Sequence, residues 1–354
     1  MPQIKFLPSY TRVFLDYSIW NTVHSKSARG LKCPDTAGQQ QREDMQHLPF
    51  QPTPVTGLPY FSKLWQCHAL CKRDDLFPEV GGGSKARMLQ YILHGVTPER
   101  YDVVLTAGGP HSNFNRACAL MCAKLGVKMH LVAYGGTEDE FRHSFNFRLC
   151  AYSGAEISYS RKEDVPITIH GLLERYKQEG KRVKYIWGGG RELAGFYAYY
   201  EAVQELVALH TPLDAVFVAC GTGTTLTGIC AGMQRHFPHA KVYAVSVARS
   251  HEAEKEILLE DMDMLNAHLN SSYNFSNMVF TDSYLCGGYG QANANGLLET
   301  IKEGIVKEGL MLDVTYSGKA LYGMSQIMAK GGFAGKNVLF WHTGGVFNMI
   351  SNLS

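Results

Sequence analysis

Short β-branched apolar runs alternate with longer amphipathic segments along most of the chain, which is the pattern of a parallel α/β architecture. Val103-Val104-Leu105 predicts a buried strand, residues 113–125 a helix rich in Ala, Leu and Met, and Met129-His130-Leu131-Val132 the next strand, one βαβ unit. A helix over 145–153, a strand near 155–157, a helix over 167–179 and a strand over 183–186 follow. Beyond Gly188-Gly189-Gly190 the pattern predicts helix 192–210, strand 215–219, helix 224–236, strand 242–247, helices 253–269, 292–307 and 319–329, and strand 338–341. The segment 64–70 alternates and runs into Lys72-Arg73-Asp74-Asp75, as a strand ending at a loop does. The clusters Gly81-Gly82-Gly83 and Gly188-Gly189-Gly190 are where a chain leaves one domain and returns, so a small α/β domain (79–191) is expected inside a larger one (1–78 and 192–354). The first fifty residues are polar and irregular, with the run Gln39-Gln40-Gln41-Arg42-Glu43-Asp44, and are expected to wrap a core built later.

At 354 residues, with 45% hydrophobic and 19% charged positions, the chain has globular composition and excludes disorder, collagen and coiled coil. Its 34 Lys and Arg against 32 Asp and Glu leave a net charge of +2 without a basic block, so a small-molecule partner is expected, with no nucleic acid and no membrane surface. No apolar stretch approaches the roughly 20 residues that cross a bilayer, and residues 1–10 lack the apolar segment of a secretory signal. A cytoplasmic protein is expected. The nine cysteines (Cys33, Cys67, Cys71, Cys118, Cys122, Cys150, Cys220, Cys230, Cys286) are scattered, odd in number and never spaced C-x-x-C, which argues against a disulfide scaffold. Cys67, His68 and Cys71 come nearest to a metal set, but on a strand the two sulfurs would stand about 13 Å apart, too far to share an ion. No metal is expected. Cys118 and Cys122 share a helix face and read as buried small hydrophobes.

Parallel sheets bind ligands at the carboxyl ends of their strands, so glycine-rich strand-to-helix turns carry the functional argument. Cys220-Gly221-Thr222-Gly223-Thr224-Thr225 offers small residues that let the backbone close on a phosphate, with hydroxyls as extra donors; as a bare fold element it is a threonine-capped turn. Leu226 stands where a dinucleotide fingerprint needs its third glycine, and no lysine completes a Walker A loop. A nicotinamide dehydrogenase is thereby disfavoured. The turn Gly108-Gly109-Pro110-His111-Ser112-Asn113 reads either as a helix cap or as a carboxylate cradle. In Gly81-Gly82-Gly83-Ser84-Lys85, a lysine at a helix start is badly sited as a structural charge; that siting helps lower its pKa and favours Schiff-base chemistry over a solvated surface role. Tyr289, Tyr316 and Thr343 lie in loops beside glycines, and each tyrosine taken singly reads first as packing.

Taken in order, eight segments resemble the pyridoxal-phosphate enzymes of fold type II, in the group of 1-aminocyclopropane-1-carboxylate deaminase and D-cysteine desulfhydrase. They are Pro52-Thr53-Pro54, Lys72-Arg73-Asp74-Asp75-Leu76, Gly82-Gly83-Ser84-Lys85-Ala86-Arg87, Gly108-Gly109-Pro110-His111-Ser112-Asn113, Gly221-Thr222-Gly223-Thr224-Thr225, Tyr289-Gly290, Tyr316-Ser317-Gly318-Lys319 and His342-Thr343-Gly344-Gly345. The resemblance implies a tryptophan synthase beta-like fold of two open, twisted, mostly parallel sheets flanked by helices, pyridoxal 5'-phosphate as cofactor, a small amino acid as substrate and a homodimer. It implies a Schiff base at Lys85, the cofactor phosphate on Gly221, Thr222, Gly223, Thr224 and Thr225, and its ring hydroxyl on Asn113. Ser112 would sit beside the lysine and the substrate carboxylate, Tyr289 and Tyr316 on the substrate side, and a hydroxyl of Thr343 or Ser317 at the pyridine nitrogen. The chain departs from the family's pattern at Ser84, Met88, His111 and Phe114.

A neutral hydroxyl at that nitrogen makes the ring a weaker electron sink, which favours prompt loss of a β leaving group. In the implied sequence Lys85, freed by the substrate amine, removes the α-proton, thiolate leaves, and aminoacrylate breaks down to pyruvate and ammonia. In this family the cyclopropane-opening deaminases carry a glutamate directly after the tyrosine of Y-x-G-K and the desulfhydrases a small hydroxyl residue. Ser317 therefore favours β-elimination from D-cysteine. The alternatives are a cyclopropane deaminase or β-replacement synthase on the same scaffold and, in another class, a non-catalytic binder of a phosphorylated ligand.

Overall fold

The computed structural model describes residues 52–353, so the polar opening, its glutamine run and Cys33 lie outside the described residues. The chain enters through β1 (Val55–Gly57), α1 (Pro59–Trp65) and β2 (His68–Arg73), makes a 3₁₀ turn at Asp74–Leu76 and continues into α2 (Ser84–Ile92). There follow β3 (Val103–Gly108), α3 (Asn113–Leu125), β4 (Lys128–Ala133), α4 (Glu138–His143), α5 (Phe145–Tyr152), β5 (Glu156–Tyr159), α6 (Val165–Gln178) and β6 (Val183–Tyr185). The last stretch runs α7 (Leu193–Val207), β7 (Ala215–Cys220), α8 (Thr224–His236), β8 (Lys241–Ser246), α9 (His251–Leu269), β9 (Met278–Thr281), α10 (Leu297–Glu308), α11 (Ser317–Met328), β10 (Asn337–His342) and α12 (Val346–Leu353).

Among the described residues these strands make two sheets, one ordered β1-β2-β10-β7-β8-β9 and one ordered β5-β4-β3-β6. Only β1 is antiparallel to its neighbour. The central strands β3 and β7 are buried at every position, which is why both read as unbroken apolar runs rather than alternating ones. The fold is thus the expected α/β arrangement of two mostly parallel sheets between helices. One apolar core runs from Met88 and Val104 through Phe196 and Val203 of α7 to Val216 and Trp341. Gly228 lets α8 lie directly on α7, because a Cβ there would stand 2.2 Å from the Phe196 carbonyl oxygen.

The motif Lys72 to Asp75 is structural in its contacts. Lys72 forms a buried ion pair with Glu205 of α7, and Arg87 bridges Glu205 and Asp74. Asp74 also accepts from Tyr199 Oη at 2.6 Å and Trp341 Nε1 at 2.9 Å. Every oxygen of that buried carboxylate is thereby used, and β2, α2, α7 and β10 are tied at one point.

Two expectations require correction. Residues 64–70 are not one strand: α1 ends at Trp65, Gln66 turns in the left-handed region at φ 53°, and β2 begins at His68 and continues through Arg73. Phe61 and Trp65, one helical turn apart, stack at 4.6 Å between ring centroids, so part of that alternation is helical. The helix expected over 292–307 begins only at Leu297, because Gly296 at φ 95° turns the chain and its N–H donates to Glu299 Oε2 at 2.8 Å. The capping pair Thr137 and Glu140, which starts α4, was a legible signal that the hydrophobic pattern alone passes over.

Candidate active site

The carboxyl ends of β3, β7 and β10 and the amino end of α2 face one cavity of about 430 Å³. Lys85, the second residue of α2, reaches into it. Getting it there takes a backbone that only glycine follows: Gly82 and Gly83 sit at φ 73° and 88°, and a Cβ on Gly82 would stand 2.2 Å from the Asp75 carbonyl oxygen. The Ser84 N–H then donates to the Thr343 carbonyl at 2.8 Å, fastening this turn to the end of β10.

The Lys85 amine donates to the Gly189 carbonyl at 2.9 Å and lies 3.5 Å from Met88 Sδ, and neither partner is an acid. Burial lowers its pKa to about 8. Desolvation, more than its place at a helix start, depresses this lysine. Gly189 in turn abuts the second turn, since a Cβ there would meet Thr222 Cγ2 at 2.9 Å. Amine and threonine turn thus belong to the same wall.

Gly221, Thr222, Gly223, Thr224 and Thr225 all line the cavity. Gly223 sits at φ 80° as the residue before α8, no side chain caps that helix, and the Thr222 and Thr224 hydroxyls lie 3.2 Å apart. An uncapped helix start beside paired hydroxyls suits an anion of phosphate size. Ser112 lines the cavity and also accepts the Asn115 N–H at 3.2 Å, so its cap role and its wall position coexist. Asn113 does not line the cavity: its Oδ1 accepts from Asn146 Nδ2 at 3.0 Å. Asn115, which the sequence reading passed over, keeps both amide atoms buried and without partners against Gly108.

Tyr289 and Tyr316 meet at the cavity with their hydroxyls 2.6 Å apart and their rings edge to face. Desolvation pushes the Tyr289 phenol up to about 12 and raises Tyr316 as well, so both are neutral donors and acceptors near pH 7. Of the two hydroxyls considered for the pyridine nitrogen, Thr343 lines the cavity. Ser317 does not; it is 1% exposed and its Oγ donates to Asp313 Oδ1 at 2.8 Å. Among the described residues no Asp or Glu lines the cavity. Trp187, Gly188, Arg191 and Arg249 also line it, and in the sequence they sit outside the strand-end motifs. Amine, anion turn, phenols and a wall free of carboxylates fit pyridoxal 5'-phosphate.

Among the described residues no helix is long and apolar enough to cross a membrane. The family described as "Pyridoxal-phosphate dependent enzyme" matches residues 47–344. A provisionally named 1-aminocyclopropane-1-carboxylate deaminase of Thermotoga maritima is 30% identical over 86% of this chain and 97% of its own. A protein of the same provisional name from Pyrococcus furiosus is 30% identical over 83% of this chain and 89% of its own. A crystal structure of an "ACC deaminase homologue" superposes with a TM-score of 0.76 at 29% identity, covering 85% of this chain and 91% of that one. The chain therefore belongs to the pyridoxal-phosphate-dependent enzymes of fold type II, in the 1-aminocyclopropane-1-carboxylate deaminase family, with pyridoxal 5'-phosphate as its cofactor.

Proposed function

We propose that the enzyme catalyses β-elimination from a small amino acid, D-cysteine first among them, giving pyruvate, sulfide and ammonia. Bound in the cavity, pyridoxal 5'-phosphate supplies an aldehyde that condenses with amines and a conjugated ring that draws electrons from the substrate Cα. Lys85 would hold that aldehyde, and its amine, whose pKa burial lowers to about 8, would be the group placed to take the α-proton. Gly221, Thr222, Gly223, Thr224 and Thr225 hold the phosphate at the start of α8. Asn113 accepts from Asn146 and does not line the cavity, so the ring hydroxyl is not assigned to it. Ser112 orients the substrate carboxylate, and the Tyr289–Tyr316 pair hydrogen-bonds on the substrate side.

The observation that carries this reading is that, among the described residues, no Asp or Glu lines the cavity while the Thr343 hydroxyl does. A hydroxyl does not hold that nitrogen protonated, and prompt loss of a β leaving group is favoured over a long-lived carbanion. A second reading, cyclopropane ring opening, is supported by the names of the relatives. Incubation with D-cysteine, L-cysteine and 1-aminocyclopropane-1-carboxylate separates the two. Sulfide with pyruvate from D-cysteine is expected; 2-oxobutyrate from the cyclopropane with no sulfide from either cysteine installs the second reading instead.

The same reading takes residues 79–191 as a small domain inserted in the large one. All eight described cysteines are unpaired, which supports a reducing, cytoplasmic setting. A homodimer rests on the family resemblance and is read by light scattering.

A further inference from the structure

A phosphate-binding turn works poorly with carboxylates behind it, yet this one has two. A Cβ on Gly223 would stand 3.1 Å from Glu254 Oε1 and 3.6 Å from Asp261 Oδ2, both on α9. Glu254 is 1% and Asp261 0% exposed, and burial raises the Asp261 pKa to about 7 against the pull of Arg191, so what negative charge stands there is poorly screened from a dianion bound at the turn.

Each acid holds an arginine. Arg249 Nη1 donates to Glu254 Oε2 at 2.8 Å, and Arg191 Nε donates to Asp261 Oδ1 at 2.7 Å. Glu254 and Asp261 are i and i+7 on α9 and so share a face. Both arginines line the cavity that the turn lines. They come from separate segments that both meet the turn: Arg191 follows Gly189, which packs against Thr222, and Arg249 follows β8, whose Ser246 pairs in register with Cys220 of β7. The turn itself offers only backbone N–H groups and hydroxyls, whereas guanidinium is the side chain whose donor fork matches phosphate.

We propose that Arg191 and Arg249 together clamp the cofactor phosphate at the threonine turn, Arg191 held at the cavity wall by Asp261 and Glu260 and Arg249 by Glu254, all on α9. The proposal rests on siting the phosphate at Gly221 to Thr225, so its test must separate the two claims. Apoenzyme is titrated with pyridoxal 5'-phosphate and, separately, with pyridoxal, which lacks the phosphate, following absorbance. Arg191→Gln and Arg249→Gln are each expected to weaken the phosphorylated ligand about tenfold or more while leaving pyridoxal within about twofold. Asp261→Asn, which keeps the arginine but loosens its tether, is expected to reproduce part of the Arg191→Gln loss.

Thr225→Val reports on the turn alone. If it weakens the phosphorylated ligand and neither arginine variant does, the clamp is wrong while the turn stands; if it has no effect, the phosphate lies elsewhere and both claims fall. Equal loss of pyridoxal and its phosphate in the arginine variants would mean a collapsed wall and overturn the clamp. So would a raised KM for anionic substrates with cofactor affinity unchanged, which would make the arginines a substrate subsite.

Discussion

Lys72 and Lys85 flank the same glycine turn, both are buried or nearly so, and burial depresses both. They differ in their partners. Lys72 donates to the Thr53 carbonyl at 2.6 Å and is paired with Glu205, inside a network where Arg87 and Asp74 balance the charge. Lys85 has a carbonyl and a thioether. A buried cation facing a carboxylate is kept charged and immobile, while one facing neutral acceptors loses its proton easily and stays available for chemistry. Burial alone identifies neither role; the sign of the neighbours is what separates these two lysines.

The comparison breaks most sharply at Lys85 itself. Lys85→Met should fold and still bind pyridoxal 5'-phosphate noncovalently, but turnover should fall on the order of 10⁴-fold, with borohydride no longer fixing a pyridoxyl group. Retained turnover would remove the covalent role. Lys72→Met should do the reverse, leaving a net negative buried cluster at a cost of about 3–5 kcal/mol in denaturant unfolding. Adding Glu205→Gln should recover part of that loss, and a variant as stable as the parent would show that the network is not structural. Lys319 tests the middle ground: it too has a pKa lowered to about 8 by burial, and it donates to the carbonyls of Leu285 and Gly288, which hold the loop carrying Tyr289. Lys319→Met should lower kcat about tenfold through a misplaced phenol while cofactor absorbance is unchanged.

Much of the fold and of the site is legible in the residues themselves. The helices over 113–125 and 224–236 begin where they were expected because Ser112 and Gly223 are chemically suited to helix starts. The three glycine turns at Gly81-Gly82-Gly83, Gly108-Gly109 and Gly221-Thr222-Gly223 are legible for the same reason, since local backbone demands leave local marks. What stayed hidden is what distant segments supply. The Gly189 carbonyl that holds Lys85 read only as part of a domain hinge, and Arg191 and Arg249 read as ordinary charges until α9 brought Asp261 and Glu254 beneath them. The choice between Ser317 and Thr343 likewise needed Asp313, which takes the Ser317 hydroxyl.

The smallest effect is the one that tests the physical claim most directly. With a folded pKa of about 8 against an ordinary lysine value of 10.5, Lys85 binds fewer protons in the folded apoenzyme than in the unfolded chain across that window. Stability contributed by this site must therefore rise as pH climbs from about 8 toward 10.5, and the penalty for keeping it charged is fully present below the lower value. Lys85→Met removes the penalty. Below pH 8 the variant apoenzyme should be the more stable of the two by about 1 kcal/mol, a figure discounted for the amine's partial access to the cavity. That advantage should shrink as pH rises from about 8 and vanish above about 10.5. Other groups titrate in the same range, Lys319 among them, but they are common to both proteins and cancel in the difference. A variant whose advantage is independent of pH would mean that Lys85 titrates as an ordinary lysine, and the contrast with Lys72 would then rest on geometry alone.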